Sequence, residues 1–524
     1  MEIVDGTALK VRTKNPQKIV DVIKKSGVVG EYVASTGEKG YEVLVHWNMA
    51  NSVILKNLGF SKTPSAILKD YEFPGIYKPF THQRDTASFI TMHRRSYVLN
   101  DMGTGKTMSV AWAVDYLMNL GEVKRCLIVA PLSILDCAWR NDLFNSVMHR
   151  KVGIAHGSRE QRIKVINSNA EFVIINYDGV ETVRDELAAG NFDMVVCDEC
   201  TALKNPKTRR WKMLNSLIRP ETRLIMMTGT PIAQSPEDAY GQVKLLSPNS
   251  VPSYAGAFKD KVLRKVGPFR YIPRPEATDY VYSLMQPAIR YTKEDCLDLP
   301  ENLYATREVP MTAQQEKFYN KLKKEMLIQT AGEEISAINA AVELNKLLQI
   351  SAGSAYSDTG EVIDFDCSNK LNELLDTIEQ SSHKVLVFCA FRHSIELVQS
   401  FLTKNKISAD VIHGDVSAKK RAEIFKRFQT TTEPHVLIIQ PQAASHGVTL
   451  TAANTVVWFS PTTSAETYLQ ANARVHRAGQ KNPCLVVHLC SSPVEKKLYK
   501  ALEDRTLAQN NLLSMYKGFL GGDL

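Results

Sequence analysis

Short apolar runs rich in β-branched residues recur along the chain and alternate with segments of helical periodicity. Such runs are typical of strands buried on both faces of a parallel sheet, and strands that alternate with helices predict doubly wound sheets. We therefore expect two α/β lobes, one for each of two series of runs. The first series is SYVLN, RCLIVAP, EFVIINY, DMVVCDE and RLIMMTGT, and the second is KVLVFCA, ADVIHG, HVLIIQ, TVVWFS and CLVVHL.

A chain of 524 residues is too long for one ordinary core, so we expect two or three domains. The first series predicts a lobe at residues 73–292, and the second predicts a lobe at residues 366–524. Residues 293–365 are interpreted as a linker with a helical insertion, because Met311–Ile350 has helical periodicity and follows a proline-containing stretch. Residues 1–72 predict a small α+β accessory unit with the element order βαββα.

The composition, with 44% hydrophobic and 23% charged residues, is that of a soluble globular protein. No apolar run approaches the ~20 residues that a membrane-spanning helix needs, and the start MEIVDGTALK lacks the pattern of a signal peptide. The nine cysteines lie mostly in apolar runs, which is typical of reduced core residues. We expect a cytoplasmic protein with no membrane partner, and a monomer.

The net charge of +8 permits a polyanionic partner such as a nucleic acid. A slightly basic, solvated surface explains the same charge. Charge alone therefore leaves the partner open.

A glycine-rich segment, DMGTGKTMS, follows the run SYVLN directly and precedes a predicted helix. This position favours a phosphate-binding loop, in which Lys106 would reach the β- and γ-phosphates and the hydroxyl of Thr107 would bind magnesium. The usual first glycine of such a loop falls at Asn100, so the pattern is incomplete, and a plain glycine-rich turn is the alternative. The residues that would present N–H groups to the phosphates are Gly103, Thr104 and Gly105.

The stretch VVCDECTALKNPK contains two pairs of side chains that could each carry chemistry. Cys197 and Cys200 form a CxxC, but a structural zinc site needs four ligands, and the chain has no second CxxC. Asp198 and Glu199 follow a predicted buried strand, as the partner of a phosphate loop should. We therefore predict that Asp198 binds magnesium and that Glu199 orients and deprotonates the attacking water.

The segment YLQANARVHRAGQ carries Gln470, Arg474 and Arg477 at spacings that place them on one helical face. Guanidinium groups at the γ-phosphate stabilise transition-state charge and contribute roughly 10³–10⁵ in rate. A solvated basic helix is the alternative for this segment alone. Beside a phosphate loop and an acidic strand end, the segment predicts arginine fingers from the second lobe and an ATP site in the cleft between the lobes.

With these residues in place, the chain resembles the helicases of superfamily two, and among them the Swi/Snf family of double-stranded-DNA translocases. The resemblance runs from about Tyr77 to Leu502, with the motifs in the family's order. LNDMGTGKT is similar to the family's DEMGLGKT, DECTALKNPKT is similar to DEAHRIKNPKS, and ARVHRAGQ is similar to the last motif. The resemblance implies two RecA-like lobes, ATP and Mg²⁺ as cofactors, and double-stranded or branched DNA as partner.

Other segments resemble the remaining motifs and imply roles for single residues. FTHQRD resembles the adenine-reading segment, which carries that role to Gln83. The phosphate loop and the motif-V-like IIQPQAASHGVTLTAAN imply nucleotide contacts from Met108 and Gly447. MMTGTPIAQSPEDAY resembles the segment that couples the ATP state to lobe movement. LIVAPLSILDCAW and FVIINYDGV resemble motifs Ia and Ib, which lie on the nucleic-acid backbone and imply contacts from Pro131, Leu132, Ser133, Asn176 and Tyr177.

Thr201 departs from the family, which usually has a histidine here that links the ATP site to motif III. The departure implies that coupling runs differently or loosely, while hydrolysis itself is retained. No chromatin-reading or zinc module is recognisable, and the small size resembles a bacterial or phage motor more than a nuclear one. We therefore expect the cytoplasm of a bacterial or phage-infected cell.

Two segments lie outside these motifs. KDKVLRKVGPFRYIPR, Lys259–Arg274, has six basic residues against one acidic residue, which predicts phosphate contacts, with a solvated loop as the alternative. Residues 1–72 either recognise a DNA structure or a protein partner, or buttress the first lobe. The basic side chains predicted to contact phosphates are Lys259, Lys261, Arg264 and Lys265.

The leading hypothesis from the sequence is an ATP-dependent translocase on double-stranded DNA that remodels protein–DNA complexes or branched DNA. A strand-separating DNA or RNA helicase is the rival enzyme, and a nucleotide-gated DNA-binding scaffold with poor turnover is the rival binder. ATP turnover measured with different nucleic acids discriminates among the three.

Overall fold

Two parallel sheets flanked by helices, and a small antiparallel sheet at the N-terminal end, form the framework of the computed structural model of the protein. Each parallel sheet arises where the sequence carries a series of apolar runs, and helices connect most successive strands. The prediction of two doubly wound α/β lobes is confirmed. The structure describes residues 1–33, 38–232, 235–266, 271–296, 302–330, 337–356, 362–444, 448–477 and 479–504.

The first parallel sheet places the glycine-rich loop and the acidic stretch at the same edge, because both follow carboxyl ends of parallel strands. One further strand, Arg223–Met227, lies between the strands that carry them. Across the sheet, the seven strands are Ala288–Ile289, Arg95–Val98, Arg223–Met227, Met194–Asp198, Cys126–Ala130, Phe172–Asn176 and Val152–Ala155. The helices of this lobe are Thr81–Met92, Lys106–Asn119, Asn141–Ser146, Arg159–Ile166, Gly179–Thr182, Arg184–Ala189, Arg209–Leu217, Ala239–Leu246, Ala255–Val262 and Ala277–Leu284.

The strands of this sheet are apolar on both faces, which explains why they appear in the sequence as continuous runs. Alternate residues of a strand enter different cores. One core receives Val98, Ile128, Ile174, Val196 and Ile225. The core on the opposite face receives Tyr97, Leu127, Val173, Val195 and Leu224.

The second parallel sheet also has all of its strands parallel. Its edge strand Asn302–Glu308 falls within the predicted linker region 293–365, and the domain boundaries stay predictions. Across the sheet, the six strands are Asn302–Glu308, Cys484–Cys490, Ala453–Trp458, Lys384–Phe388, Val436–Ile439 and Ala409–Ile412. The helices of this half are Lys293–Cys296, Ala313–Thr330, Ala337–Ser351, Ser368–Glu379, Arg392–Lys404, Ala418–Thr430, Pro441–Ala444, Ala465–Asn472 and Pro493–Glu503.

The N-terminal unit packs on the first lobe and shares a core with it. Trp47 and Leu55 of this unit belong to the same buried cluster as Trp112 of the first lobe. This continuity supports the buttressing interpretation of residues 1–72. The strands Glu2–Val4, Ala8–Thr13, Lys39–His46 and Ser26–Val33 form the antiparallel sheet, and the helices are Gln17–Val20, Met49–Asn57 and Ile67–Asp70.

Two short antiparallel strand pairs lie outside these three sheets. They pair Leu263–Lys265 with Tyr271–Pro273, and Ser354–Tyr356 with Val362–Asp364. Short helical turns at Leu132–Ile134, Leu135–Arg140, Cys200–Leu203, Pro236–Asp238 and Pro248–Ser250 complete the described elements. Within the described ranges, none of the helices has the length and apolar content required to cross a membrane.

Candidate active site between the lobes

The glycine-rich loop turns sharply between the strand Arg95–Val98 and the helix Lys106–Asn119. Gly103 and Gly105 have φ angles of 86° and 78°, in the left-handed region that favours glycine. A Cβ atom on Gly105 would lie 2.0 Å from Nε2 of Gln83, so a side chain there would displace the predicted adenine-reading residue. The loop therefore has the backbone shape of a phosphate cradle in front of a helix N-terminus.

Lys106 lies inside this loop and is almost completely buried. Its Nζ donates to the carbonyl oxygens of Asn100 at 2.8 Å and Asp101 at 3.2 Å. Burial lowers the pKa of Lys106, and the carboxylates of Glu199 and Asp198 oppose that shift. The loop thus holds the ammonium group next to the acidic strand end.

Gln83 and His82 both contact the loop through one carbonyl oxygen. Nε2 of Gln83 donates to the backbone carbonyl oxygen of Thr104 at 3.3 Å, and Nε2 of His82 donates to the same oxygen at 2.8 Å. Oε1 of Gln83 accepts from the backbone N–H of Phe80 at 3.0 Å, which fixes the amide orientation. Met108, in the first turn of the helix, packs against the apolar core. The role of His82 did not follow from sequence spacing.

Asp198 is the last residue of the strand Met194–Asp198, and Glu199 follows it, at the edge that carries the loop. Glu199 has a φ of 49°, a left-handed conformation that costs about 1–3 kcal/mol for a residue with a side chain. The hydroxyl of Thr228 donates to Oε2 of Glu199 at 3.4 Å. Burial and then the charge of Asp198 raise the pKa of Glu199, which suits a base that works near neutral pH.

Asp198 is held by donors on both carboxylate oxygens. Nε1 of Trp139 donates to Oδ2 at 2.8 Å, and the backbone N–H of Glu199 donates to Oδ1 at 3.0 Å. The hydroxyl of Tyr177 donates to the Asp198 carbonyl oxygen at 2.8 Å. Trp139 lies in the helical turn Leu135–Arg140, and sequence reasoning did not assign it a role at the site.

Asp142 is a further carboxylate of the site that the sequence did not predict. The hydroxyl of Thr107 donates to it, burial raises its pKa to about 6, and Arg477 opposes that shift. The same hydrogen bond leaves the lone pairs of the Thr107 oxygen available to a cation. Thr107 and Asp198 therefore supply the oxygen ligands that Mg²⁺ prefers, and these residues fit the ion that the sequence analysis predicts.

Thr201 is half-buried in the helical turn Cys200–Leu203, close to Glu199. The residue before Thr201, Cys200, contacts the helix Ala239–Leu246. Its Sγ donates to Oε1 of Gln242 at 3.2 Å. Cys197 and Cys200 are both buried, and burial raises the pKa of both thiols. Two hydrogen bonds join the acidic stretch to the segment after the strand Arg223–Met227. One runs from Thr228 to Glu199, and the other from Cys200 to Gln242.

Arg474 and Arg477 of the second lobe lie next to this site, but the predicted shared helical face with Gln470 is wrong, because the helix Ala465–Asn472 ends before both arginines and they lie in the turn that follows it. Arg474 is buried and acts electrostatically on both Glu199 and Lys106. The Cβ of Arg477 would lie 3.1 Å from a Cβ placed on Gly103. Burial lowers the pKa of Arg477, and the carboxylate of Asp142 opposes that shift. The guanidinium of Arg474 thus acts on the base and on Lys106, whereas Nη1 of Arg477 donates to the carbonyl oxygen of Val448 at 3.2 Å and its charge interacts with Asp142.

A cavity of about 490 Å³ between the lobes joins several predicted residues. Gln470 lines it from the second lobe, and its Nε2 donates to Oε1 of Glu466 at 3.2 Å. Asn176 also lines it, and its Oδ1 accepts from Nη1 of Arg162 at 3.0 Å. Ser133 belongs to the turn Leu132–Ile134 beside the cavity. The lining residues predicted to contact nucleic acid are Pro131, Leu132, Asn176 and Tyr177.

The four basic residues outside the motifs divide into two pairs. Lys259 and Lys261 lie on the helix Ala255–Val262 and rest on tyrosine rings, with Nζ of Lys259 4.0 Å from the centre of Tyr271. Arg264 and Lys265 lie on an exposed hairpin strand. Their phosphate contacts stay predictions. Gly447, the remaining predicted nucleotide contact, lies outside the described residues.

Two family models match successive parts of the chain, and the first extends beyond the first lobe into the strand Asn302–Glu308 and the helices that follow it. The profile of the SNF2-related domain matches residues 82–352, and that of the helicase conserved C-terminal domain matches residues 368–479. Among solved structures, the chain is similar to the SWI2/SNF2 ATPase core of Sulfolobus solfataricus in complex with dsDNA. The sequence identity is 21% and the TM-score is 0.41, and the alignment covers 86% of this chain and 95% of that one.

Similar proteins come from bacteria, phages and eukaryotes. An ATP-dependent helicase of Mycoplasma genitalium is 25% identical over 74% of this chain, which spans 37% of that protein. Protein p41 of Acyrthosiphon pisum secondary endosymbiont phage 1 is 24% identical over 79% of this chain and 93% of its own length. The human chromodomain-helicase-DNA-binding protein 8 is 24% identical over 80% of this chain, which spans 17% of that protein. Since the SNF2-related profile alone covers more than half of its residues, the chain belongs to the SNF2-related family.

Proposed function

We propose that this chain is a DNA-dependent ATPase that couples ATP hydrolysis to movement along double-stranded DNA. One observation carries the proposal: Arg477 of the second lobe lies over the phosphate loop of the first, with its Cβ 3.1 Å from a Cβ placed on Gly103. The neighbouring buried Arg474 acts on Glu199 and Lys106. Because the site is complete only when the lobes meet, each hydrolysis cycle can change the distance between two surfaces that hold DNA. Remodelling of protein–DNA complexes or of branched DNA follows from such movement.

The residues divide the chemistry among them. Bound Mg²⁺–ATP would supply the scissile phosphoanhydride and partial neutralisation of its phosphate charge. Lys106 and the loop N–H groups bind the phosphates, and Asp198 with Thr107 would hold the ion. Glu199 accepts a proton from the attacking water at its carboxylate. The two arginines of the second lobe stabilise the charge that develops on the transferred group.

The proposed DNA partner is supported by the family and by the chemistry of the surface. A related human protein is named for DNA binding, and the chain carries a net charge of +8. Exposed basic side chains such as Arg264 and Lys265 would contact phosphates, which carry no base sequence. We therefore expect binding that tolerates any sequence and weakens steeply with salt.

The test is ATP turnover measured without nucleic acid and with duplex DNA, single-stranded DNA, branched DNA and RNA. Duplex or branched DNA should stimulate turnover most. Lys106→Ala should weaken nucleotide binding and abolish turnover, because the cation in the phosphate loop is lost. Glu199→Gln should bind ATP but hydrolyse it very slowly, since binding needs the loop and Asp198 while water activation needs Glu199.

Movement is tested separately by displacement of a triplex-forming strand from duplex DNA. We expect ATP-dependent displacement by the native chain and none by Glu199→Gln. Efficient opening of a plain forked duplex, or stimulation by RNA alone, would favour a strand-separating helicase. Tight DNA binding with negligible turnover on every substrate would favour a nucleotide-gated scaffold.

A further inference from the structure

The chain segment that leaves the first sheet runs along the phosphate loop. The strand Ala288–Ile289 pairs with Arg95–Val98, which leads into the loop. The pairing continues past the end of both strands, because the backbone N–H of Asp101 donates to the carbonyl oxygen of Tyr291 at 2.9 Å. We call residues 288–293 the linker strap. It connects the loop to the part of the chain that enters the second lobe.

Asn100 fastens this strap from the position where the generic loop pattern has a glycine. Its Oδ1 accepts from the backbone N–H of Tyr291 at 3.1 Å, and its Nδ2 donates to Oγ1 of Thr86 at 2.9 Å. A glycine could supply neither bond. The incomplete pattern therefore has a structural reason, which is that the asparagine joins the loop strand to the strap and to the helix Thr81–Met92.

Lys293, the last residue of the strap, contacts both lobes. Its backbone N–H donates to Oδ2 of Asp101 at 3.4 Å, and its Nζ donates to the carbonyl oxygen of His476 at 3.0 Å. His476 directly precedes Arg477. A Cβ placed on Gly103 would lie 3.7 Å from Cε of Lys293 and 3.1 Å from Cβ of Arg477. The lysine stem and the arginine backbone thus lie side by side over the loop.

We propose that Lys293 is a positioning residue of the ATPase, which holds the main chain next to Arg477 so that this arginine lies over the phosphate loop. The inference rests on the proposed function. The ammonium group makes a charge-assisted hydrogen bond, which is stronger than a bond between neutral groups. It acts on the carbonyl of the residue adjacent to the arginine finger, so its loss would let the finger shift.

The expected effect follows from the geometry. A displacement of about 1 Å in a positioning element can cost on the order of 100-fold in rate. Lys293→Met keeps the length of the stem and removes the charge, and it should lower the DNA-stimulated kcat by about tenfold or more. The KM for ATP should stay within about twofold, because phosphate binding by Lys106 is retained. Lys293→Arg, which keeps a donor, should recover most of the lost rate.

The matched control is Lys56→Met. Nζ of Lys56 also donates to a main-chain carbonyl oxygen, that of Met92 at 2.7 Å, but far from the cleft, where the N-terminal unit meets the first lobe. This variant should keep the native kcat. A loss of kcat equal to that of Lys293→Met would show a general effect on folding and would overturn the inference.

A second readout does not depend on turnover. Amide hydrogen exchange should become faster at residues 471–477 in Lys293→Met and stay native in Lys293→Arg and Lys56→Met. Native exchange together with a native kcat in Lys293→Met would overturn the positioning role, while the turnover of the unmodified protein would still establish the ATPase. If the unmodified protein hydrolysed no ATP, the proposed function would fail, and the exchange result alone would decide whether Lys293 anchors the segment.

Discussion

Nε1 of Trp139 donates a hydrogen bond of 2.8 Å to Oδ2 of Asp198, and both side chains are buried. The other carboxylate oxygen accepts from a backbone N–H at 3.0 Å. A carboxylate fixed at both oxygens needs little rearrangement when a cation binds to it. The indole is therefore part of the support of the proposed magnesium site, and such supporting groups tune metal affinity.

Trp139→Phe should raise the magnesium concentration needed for half-maximal ATP turnover by about 10-fold. Phenylalanine keeps the apolar packing but leaves one oxygen of Asp198 without its donor. A magnesium titration of DNA-stimulated turnover measures the effect. Trp211→Phe is the control, because Nε1 of Trp211 donates to the carbonyl oxygen of Gly241 at 2.8 Å, elsewhere in the same lobe. An equal magnesium requirement in both variants would contradict the role of Trp139.

The pH dependence of turnover should report Glu199. Burial, and next the charge of Asp198, raise the pKa of Glu199 to about 7, while Lys106 works in the opposite direction. A base acts only when deprotonated, and the deprotonated fraction grows as pH rises through the pKa. We expect kcat to increase between about pH 6 and pH 8 and then to level off. Glu199→Gln should show a low rate without this rise. The same inflection in that variant would assign it to another group.

Arg474→Ala and Arg477→Ala should each lower kcat by about 10³-fold or more, in line with the contribution of arginine fingers. Both are expected to leave DNA affinity close to native, because the role proposed for these side chains is at the nucleotide and not at the DNA. Arg427→Ala is a control in the same lobe, since Arg427 pairs with Asp410 on the surface. Turnover by the first lobe expressed alone would contradict the two-lobe mechanism.

Thr201→His should be tolerated and should leave DNA-stimulated turnover native or higher. Thr201 lines a cavity of about 490 Å³, which has room for an imidazole ring. The existing link from the carboxylates runs through Thr228, whose hydroxyl lies 3.4 Å from Oε2 of Glu199, and the substitution does not remove it. Basal and DNA-stimulated rates, measured in parallel, check the prediction. A large loss of basal turnover would show that the Thr201 hydroxyl acts in the site itself.

The strands and the polar residues at their ends could be predicted from the sequence, because burial in a parallel sheet makes the strands apolar and also gathers their carboxyl ends at one edge. A strand buried on both faces must be apolar throughout, and parallel strands bring their carboxyl ends to one edge. Lys106, Asp198 and Glu199 lie at or after the ends of such strands, so the sequence places them at this edge, and their catalytic roles stay predictions. Helical spacing was the wrong basis for Arg474 and Arg477, because the helix Ala465–Asn472 ends before them, and the need for positive charge opposite that edge is the argument that still indicates them.

The supporting contacts could not be predicted in this way. Trp139 and Asp142 reach the site from a helical turn and a short helix, and neither spacing nor composition indicates where their polar atoms lie. Lys293 follows the strand Ala288–Ile289, which is too short to produce a recognisable run. The edge strand Asn302–Glu308 has mostly exposed side chains and therefore lacks the apolar signal altogether.

The hairpin strand Leu263–Lys265 gives the sharpest test of the proposed DNA surface. Arg264 and Lys265 are exposed there, whereas Lys259 and Lys261 rest on tyrosine rings. Each phosphate contact contributes about 0.9 to the slope of log K against log salt on duplex DNA.

If both exposed residues contact phosphates, Arg264→Ala combined with Lys265→Ala should reduce that slope by about 1.8. Lys259→Ala combined with Lys261→Ala removes the same charge from the neighbouring helix and should change the slope less. Equilibrium binding to one duplex at several salt concentrations measures both variants beside the native chain. Equal slopes for the native chain and the hairpin variant would exclude the hairpin from the DNA interface, and a larger change in the helix variant would move the contact to the helix.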